Sequence, residues 1–265
     1  MKKSIFALCA VLLMVSCKTE KKSLVLYYSQ SGTTKIVAEE IQRQTGADIC
    51  SYDVVQAYDG TYDETVSRCQ SELASGYIPD LVPLEADLSE YDVIFLGYPI
   101  WFGSYAQPVK ALLASEKFEG KTIVPFCTFG SGGLQVSVRD LKTALPDADI
   151  KDGYGVRTAR VGASAVELNR FLIENGWKAG EIAALPEYSE LVDVDEETSA
   201  IFDAACSDYI FPLGTPVKVG SRKVPGGIEY LFAAESQSAD GQISTSKVYV
   251  TAMEGAKPEF TQVAR

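Results

Sequence analysis

Ser29, Gln30, Ser31, Gly32, Thr33 and Thr34 crowd hydroxyl side chains and one glycine into a turn between an apolar run and a helix-like segment. Such a turn, opening a helix, binds phosphate through hydroxyls, backbone N–H groups and the helix dipole, with little help from formal charge. No GKS or GKT occurs there, Lys35 falls on the helix, and the glycine spacing is not GxGxxG. The ligand read from this turn is therefore a mononucleotide rather than a dinucleotide or a Walker-type triphosphate.

Two further turns carry residue types with a use. Pro99, Ile100, Trp101, Phe102 and Gly103 follow the apolar run DVIFL, and a planar aromatic at that position can stack on a planar ligand. The competing reading makes Trp101 and Phe102 core residues that close the sheet. Thr128, Phe129, Gly130, Ser131, Gly132 and Gly133 follow TIVPFC. Three glycines let the backbone approach a ligand closely, or else make a flexible turn. The chain has no histidine, which removes Ser-His-Asp and Cys-His catalysis and histidine-ligated metals. Chemistry must then come from a cofactor, carboxylates, hydroxyls or a cysteine. Cys127 reads as structural, and Asp59, Asp63 and Glu64 read as a solvated surface, so no catalytic residue and no metal ligand is nominated.

The elements that must position these turns alternate. Strand-like runs at 24–28, 47–54, 92–98, 122–127 and 150–156 are separated by amphipathic segments at 33–45, 62–74, 108–115, 134–145 and 164–174. That order predicts an α/β fold with a five-stranded, doubly wound parallel sheet and right-handed crossovers. Ligands of such sheets bind outside the carboxyl ends of the strands, where the three turns fall. From about residue 178 the pattern changes to one helix, 195–205, and three to four alternating strands, a small α+β domain with an antiparallel sheet. The domain boundaries are thus 24–177 and 178–265.

Residues 1–17 read as a lipoprotein signal: Lys2 and Lys3, an apolar run too short to span a bilayer, then Leu13-Met14-Val15-Ser16-Cys17. Cys17 is the expected lipidation site and 18–23 a tether. This predicts a bacterial cell-envelope protein that faces the periplasm or the surface and touches the membrane through its lipid anchor only. A net charge of −12 argues against nucleic-acid partners. Cys50, Cys69, Cys127 and Cys206 remain; Cys50 and Cys69 either pair or stay free.

Together the three turns, their order and their strand spacing resemble the flavodoxin family over residues 24–177. The resemblance implies strand order 2-1-3-4-5 and bound FMN. It implies that Ser29 to Thr34 hold the FMN phosphate, that Pro99 to Gly103 line the isoalloxazine with Trp101 stacking, and that Thr128 to Gly133 meet the pyrimidine edge. It further implies a Gly103 backbone group near flavin N5, and a function in electron transfer. The expected role is that of a carrier or a reductase of quinone-like or protein acceptors, that is, an FMN-dependent oxidoreductase if an enzyme. The acidic surface and the neutral phosphate turn should lower the flavin potential. The alternative is a lipid-anchored binding module on the same scaffold without redox activity.

Overall fold

Leu24, Val25 and Leu26 each retain 1% or less of their exposure, so β1 (Ser23–Tyr27) is covered on both faces. A strand buried this way reads as an unbroken apolar run, which is why its position was legible from sequence. It lies between β2 (Asp48–Ser51) and β3 (Val93–Trp101), and the sheet continues through β5 (Thr122–Phe129). The computed structural model describes residues 21–182, 184–207, 209, 212–238 and 241–264. Cys17, the signal segment and residues 18–20 of the tether lie outside the described residues.

The far position of the sheet is shared by two short strands, β6 (Asp149–Ile150) and β7 (Tyr154–Arg157), both parallel to β5. Sequence predicts one strand there. The break falls opposite Val124 and Pro125, and Pro125 has no N–H to give to a ladder. With β6 and β7 counted as one position, the order is 2-1-3-4-5, as expected. The added strand β4 (Ser104–Tyr105) folds back antiparallel on the end of β3.

Helices cover both faces. α1 (Thr33–Thr45) and α5 (Ser164–Glu174) bury Val37, Ala38, Ile41, Leu168 and Leu172 against Val25, Phe95, Val124 and Phe126. α2 (Tyr62–Ser75), α3 (Gln107–Ser115) and α4 (Leu134–Ala144) bring Cys69, Val109, Leu112, Val138 and Leu141 to the other face, over Leu26, Ile94, Leu96 and Ile123. Each fully buried aliphatic side chain contributes roughly 1.5–3 kcal/mol, so two continuous cores make a stiff platform for loops at its edge.

The carboxyl-terminal part is a second sheet in the order β12-β11-β10-β9-β8, antiparallel throughout: β8 (Val192–Asp193), β9 (Thr215–Val224), β10 (Gly227–Gln237), β11 (Ile243–Met253) and β12 (Glu259–Ala264). It holds five strands rather than three to four, because two-residue β8 is too short to leave a pattern. α6 (Glu196–Cys206) carries Phe202, edge-on to Phe232 at 5.1 Å, into its core with Val219, Val248 and Val250. Glu229, which alternates outward in sequence, is only 3% exposed. Its carboxylate accepts from Arg160, at 2.9 Å, and from Arg222, at 2.7 Å, and Arg160 also pairs with Glu167. This ion-pair cluster joins the two parts of the chain, and Met253 packs on Gly162 beside it.

All four described cysteines are free thiols. Cys127 is fully buried, and burial pushes its thiol up to about 12, which fits a structural role and no reactive one. Among the described residues no helix is long and apolar enough to cross a membrane, and no cluster of His, Cys, Asp or Glu could hold a metal ion.

Candidate functional site

β1, β3 and β5 run parallel side by side, so the turns that follow them leave the same edge of the sheet. The first turn ends at Gly32, which caps α1 with φ +88 and no side-chain hydrogen bond. A helix begins with N–H groups that have no intrahelical partner. One of them, on Lys35, donates to Ser29 Oγ at 3.2 Å. The hydroxyls of Ser31 and Thr33 lie 3.2 Å apart on this rim. Thr34 differs: it is 1% exposed and its Oγ1 lies 2.8 Å from Thr128 Oγ1. The Gln30 amide is turned away, donating to the Tyr58 carbonyl at 2.8 Å and to Thr65 Oγ1 at 3.1 Å. Gln30 thus braces the 52–61 segment, and only its backbone is left to a phosphate.

The second turn is the two-residue hairpin between β3 and β4, with Trp101 opposite Ser104. Both central residues have positive φ, +51 at Phe102 and +83 at Gly103, the geometry that matches strand twist in a tight hairpin. Phe102 is the one non-glycine residue with positive φ among those described, and it is 54% exposed. A bulky residue in that region is strained by roughly 1–3 kcal/mol. Trp101 is half-buried and wedged edge-on between Tyr28, at 5.9 Å, and Tyr58, at 5.0 Å. Tyr58 is itself fixed: its hydroxyl donates to Glu72 at 2.5 Å, and the Arg68 guanidinium lies 3.8 Å over its ring. Burial, followed by the Glu72 carboxylate, raises the Tyr58 hydroxyl far above its ordinary range, so it stays a donor.

The third turn meets the other two. Gly133, with φ +121, is packed so closely that a Cβ there would lie 2.5 Å from Ile100 Cγ2 and 3.1 Å from the Gly103 carbonyl oxygen. Thr128 bonds back to the first turn, and Gly130 offers its carbonyl to Arg157 Nη1 at 2.5 Å. Residues 29–34, 99–103 and 128–133 therefore meet at one edge of the sheet, and none of them carries a charge. A separate cleft of about 450 Å³ shares Trp101 and Phe102 but reaches down to Gln107, Lys110 and Asp140 on α3 and α4, and includes no residue of the first or third turn. The supporting residues Tyr28, Tyr58 and Arg157 left no signal in the sequence, since each acts through a contact far along the chain.

The sequence model of the flavodoxin family matches residues 22–167. A solved structure of a Bacteroides uniformis protein assigned as a flavoprotein is 27% identical, with 57% of this chain and 97% of that one covered and a TM-score of 0.52. A flavoprotein from Lactobacillus acidophilus, solved in complex with FMN, is 27% identical over 52% of this chain and 93% of its own, with a TM-score of 0.46. No curated protein matches. A family match over more than half of the 265 residues, on a sheet of matching strand order, makes the assignment direct: this chain belongs to the flavodoxin family.

Proposed function

We propose that this protein binds FMN in the crevice between its three turns and transfers electrons through it. The observation that carries this reading is the convergence of the turns: the Thr34–Thr128 bond, the close approach of Gly133 to Ile100 and Gly103, and the braced Trp101. The walls fit a planar ligand ending in a single phosphate. A helix start capped by a glycine and ringed by neutral hydroxyls suits a phosphate, and close-packed backbone beside an indole suits a flat ring system.

Bound FMN supplies the electron chemistry. The residues of the chain bind and orient it. Ser29, Ser31, Thr33 and the α1 backbone N–H groups hold the phosphate. Trp101, with Phe102, presents aromatic surface to the ring system and excludes water. Gly103, at the exposed hairpin tip with positive φ, leaves its peptide sterically free to reorient toward a ring nitrogen. The turn 128–133 offers backbone groups to the ring edge.

The finer assignment is a lipid-anchored electron carrier or reductase of small quinone-like or protein acceptors, attached through Cys17 and facing the periplasm or the surface. Absorbance of the purified protein, with and without added FMN, tests the cofactor. A flavin spectrum with one FMN per chain is expected, and a preparation that stays colourless with excess FMN returns the protein to a binding module without redox activity. Metabolic labelling with a fatty acid, lost in Cys17→Ser, tests the anchor. Steady-state NADH oxidation against plain electron relay separates reductase from carrier.

A further inference from the structure

We propose that Arg157 is a positioning residue through which the carboxyl-terminal sheet sets the shape and charge of the third turn, raising the potential of a flavin held there. This rests on the FMN reading above.

Arg157 ends β7 and pairs in register with Phe129 of β5, so its side chain starts beside the third turn. Its Nη1 donates to the Gly130 carbonyl at 2.5 Å. The crevice walls carry no charge of their own, and among the described residues Arg157 is the charged side chain hydrogen-bonded to them. It has no carboxylate within ion-pairing distance among those residues, in a chain with 36 acidic side chains. Arg160, three positions on, is by contrast paired with both Glu167 and Glu229. Burial pulls the Arg157 guanidinium below its ordinary range, as expected of a cation without a counter-ion, though an arginine stays charged regardless.

What confines this cation comes from the second part of the chain. Phe260 of β12 places its ring centroid 6.0 Å from the guanidinium carbon, at the outer limit of a cation–π contact. Phe260 in turn lies 4.4 Å from Tyr209, the rings 35° apart. The guanidinium is thus held between the Gly130 carbonyl and an aromatic pair of the carboxyl-terminal part. Two effects follow. Pinning the Gly130 carbonyl fixes the orientation of the turn's neighbouring peptides. An uncompensated positive charge near the crevice also favours the cofactor state that has gained electrons, opposing the general acidity of the chain.

The test uses the full chain as wild type, Arg157→Gln, Arg157→Lys and Phe260→Ala, with three readouts: hydrogen exchange of residues 129–133 without flavin, dissociation constants for FMN and riboflavin, and midpoint potential. Arg157→Gln should speed exchange in the turn and lower the affinity for reduced relative to oxidised flavin about tenfold, a potential drop of about 30 mV for two electrons. FMN and riboflavin should weaken alike, since the phosphate turn is untouched. Arg157→Lys should recover most of the potential but not the exchange protection, and Phe260→Ala should speed exchange with a smaller potential drop.

Exchange and potential both unchanged in Arg157→Gln overturn the proposal. If that variant does not fold, Phe260→Ala decides, and no change in either readout there overturns it. A wild-type chain that takes up no FMN sinks the flavin reading on its own terms, while the exchange arm still decides whether Arg157 holds the third turn.

Discussion

Thr34 Oγ1 and Thr128 Oγ1 lie 2.8 Å apart with both residues buried, so the end of β5 is bonded directly to the first turn of α1. These residues are ninety-four positions apart in sequence, and their bond holds the first and third turns at a fixed separation.

Thr34→Val keeps the shape of the side chain and leaves the Thr128 hydroxyl buried without this partner. A loss of about 1–3 kcal/mol in unfolding free energy is expected, with FMN binding weaker by about tenfold. The double variant Thr34→Val/Thr128→Val should lose less than the sum of the two single ones, because neither hydroxyl is then stranded. Urea unfolding and fluorescence titration read both. Strict additivity would show that the bond carries no coupling.

Trp101 is set by its neighbours as much as by its own strand. Trp101→Ala should weaken FMN binding by up to about tenfold beyond the loss of contact area, and Trp101→Phe by less. Tyr58→Phe touches no ligand position but removes the hydroxyl that donates to Glu72. It should lower stability by about 1 kcal/mol and weaken FMN only two- to threefold. Isothermal titration of the three variants gives the ranking, and equal losses for Tyr58→Phe and Trp101→Ala would contradict it.

Gly133→Ala places a methyl 2.5 Å from Ile100 Cγ2 on a backbone with φ +121. The crevice must open between the second and third turns, and a destabilisation of about 1–3 kcal/mol is expected together with a marked loss of FMN affinity. Adding Ile100→Ala removes the nearest obstacle. If affinity does not recover at all in the double variant, steric closure is not the cause.

Stability should fall at alkaline pH. Burial raises the Cys127 thiol from 9.0 to about 12, and raises the hydroxyls of Tyr52, Tyr98 and Tyr154 well above 10.0. Above pH 9 the unfolded chain loses a proton that the folded chain retains, so the stability present below pH 9 declines as pH rises toward 12. The decline steepens above pH 10 as the tyrosines join. Burial also raises the thiols of Cys69 and Cys206 to about 11. Urea midpoints between pH 7 and 10.5 measure the decline, and Cys127→Ala should make the stretch between 9 and 10 shallower, with Cys69 and Cys206 supplying the rest. A flat profile for the wild type would exclude this account.

How far sequence reached depends on the range of the interactions involved. α1 begins and ends where its apolar spacing and Gly46 place it, because a helix and its caps are local. The parallel sheet was legible because the strands buried on both faces, β1, β3 and β5, read as mainly apolar runs, while their order came from the family resemblance. β4 was not, since its turn is Phe102-Gly103 rather than an Asn-Gly or Asp-Gly pair. The three turns were legible as residue types, but the Gln30 amide turned to Tyr58 shows the limit of that reading. Glu229 shows the same limit: alternation along its strand turns it outward, while its burial comes from Arg160, in the helical turn Thr158–Ala163 that precedes α5.

The parallel sheet also has a direction. Lys22 lies at the amino edge, where its carbonyl accepts from Asp92, and the three turns leave by the carboxyl edge. At about 3.3 Å per residue, the strand path from Lys22 to Ser29 is roughly 20 Å long. For a chain tethered through Cys17 and holding FMN between its three turns, as proposed, the leash would enter at one pole and the turns lie at the other. The proposed flavin site would then open on the side of the domain away from the point where the leash enters.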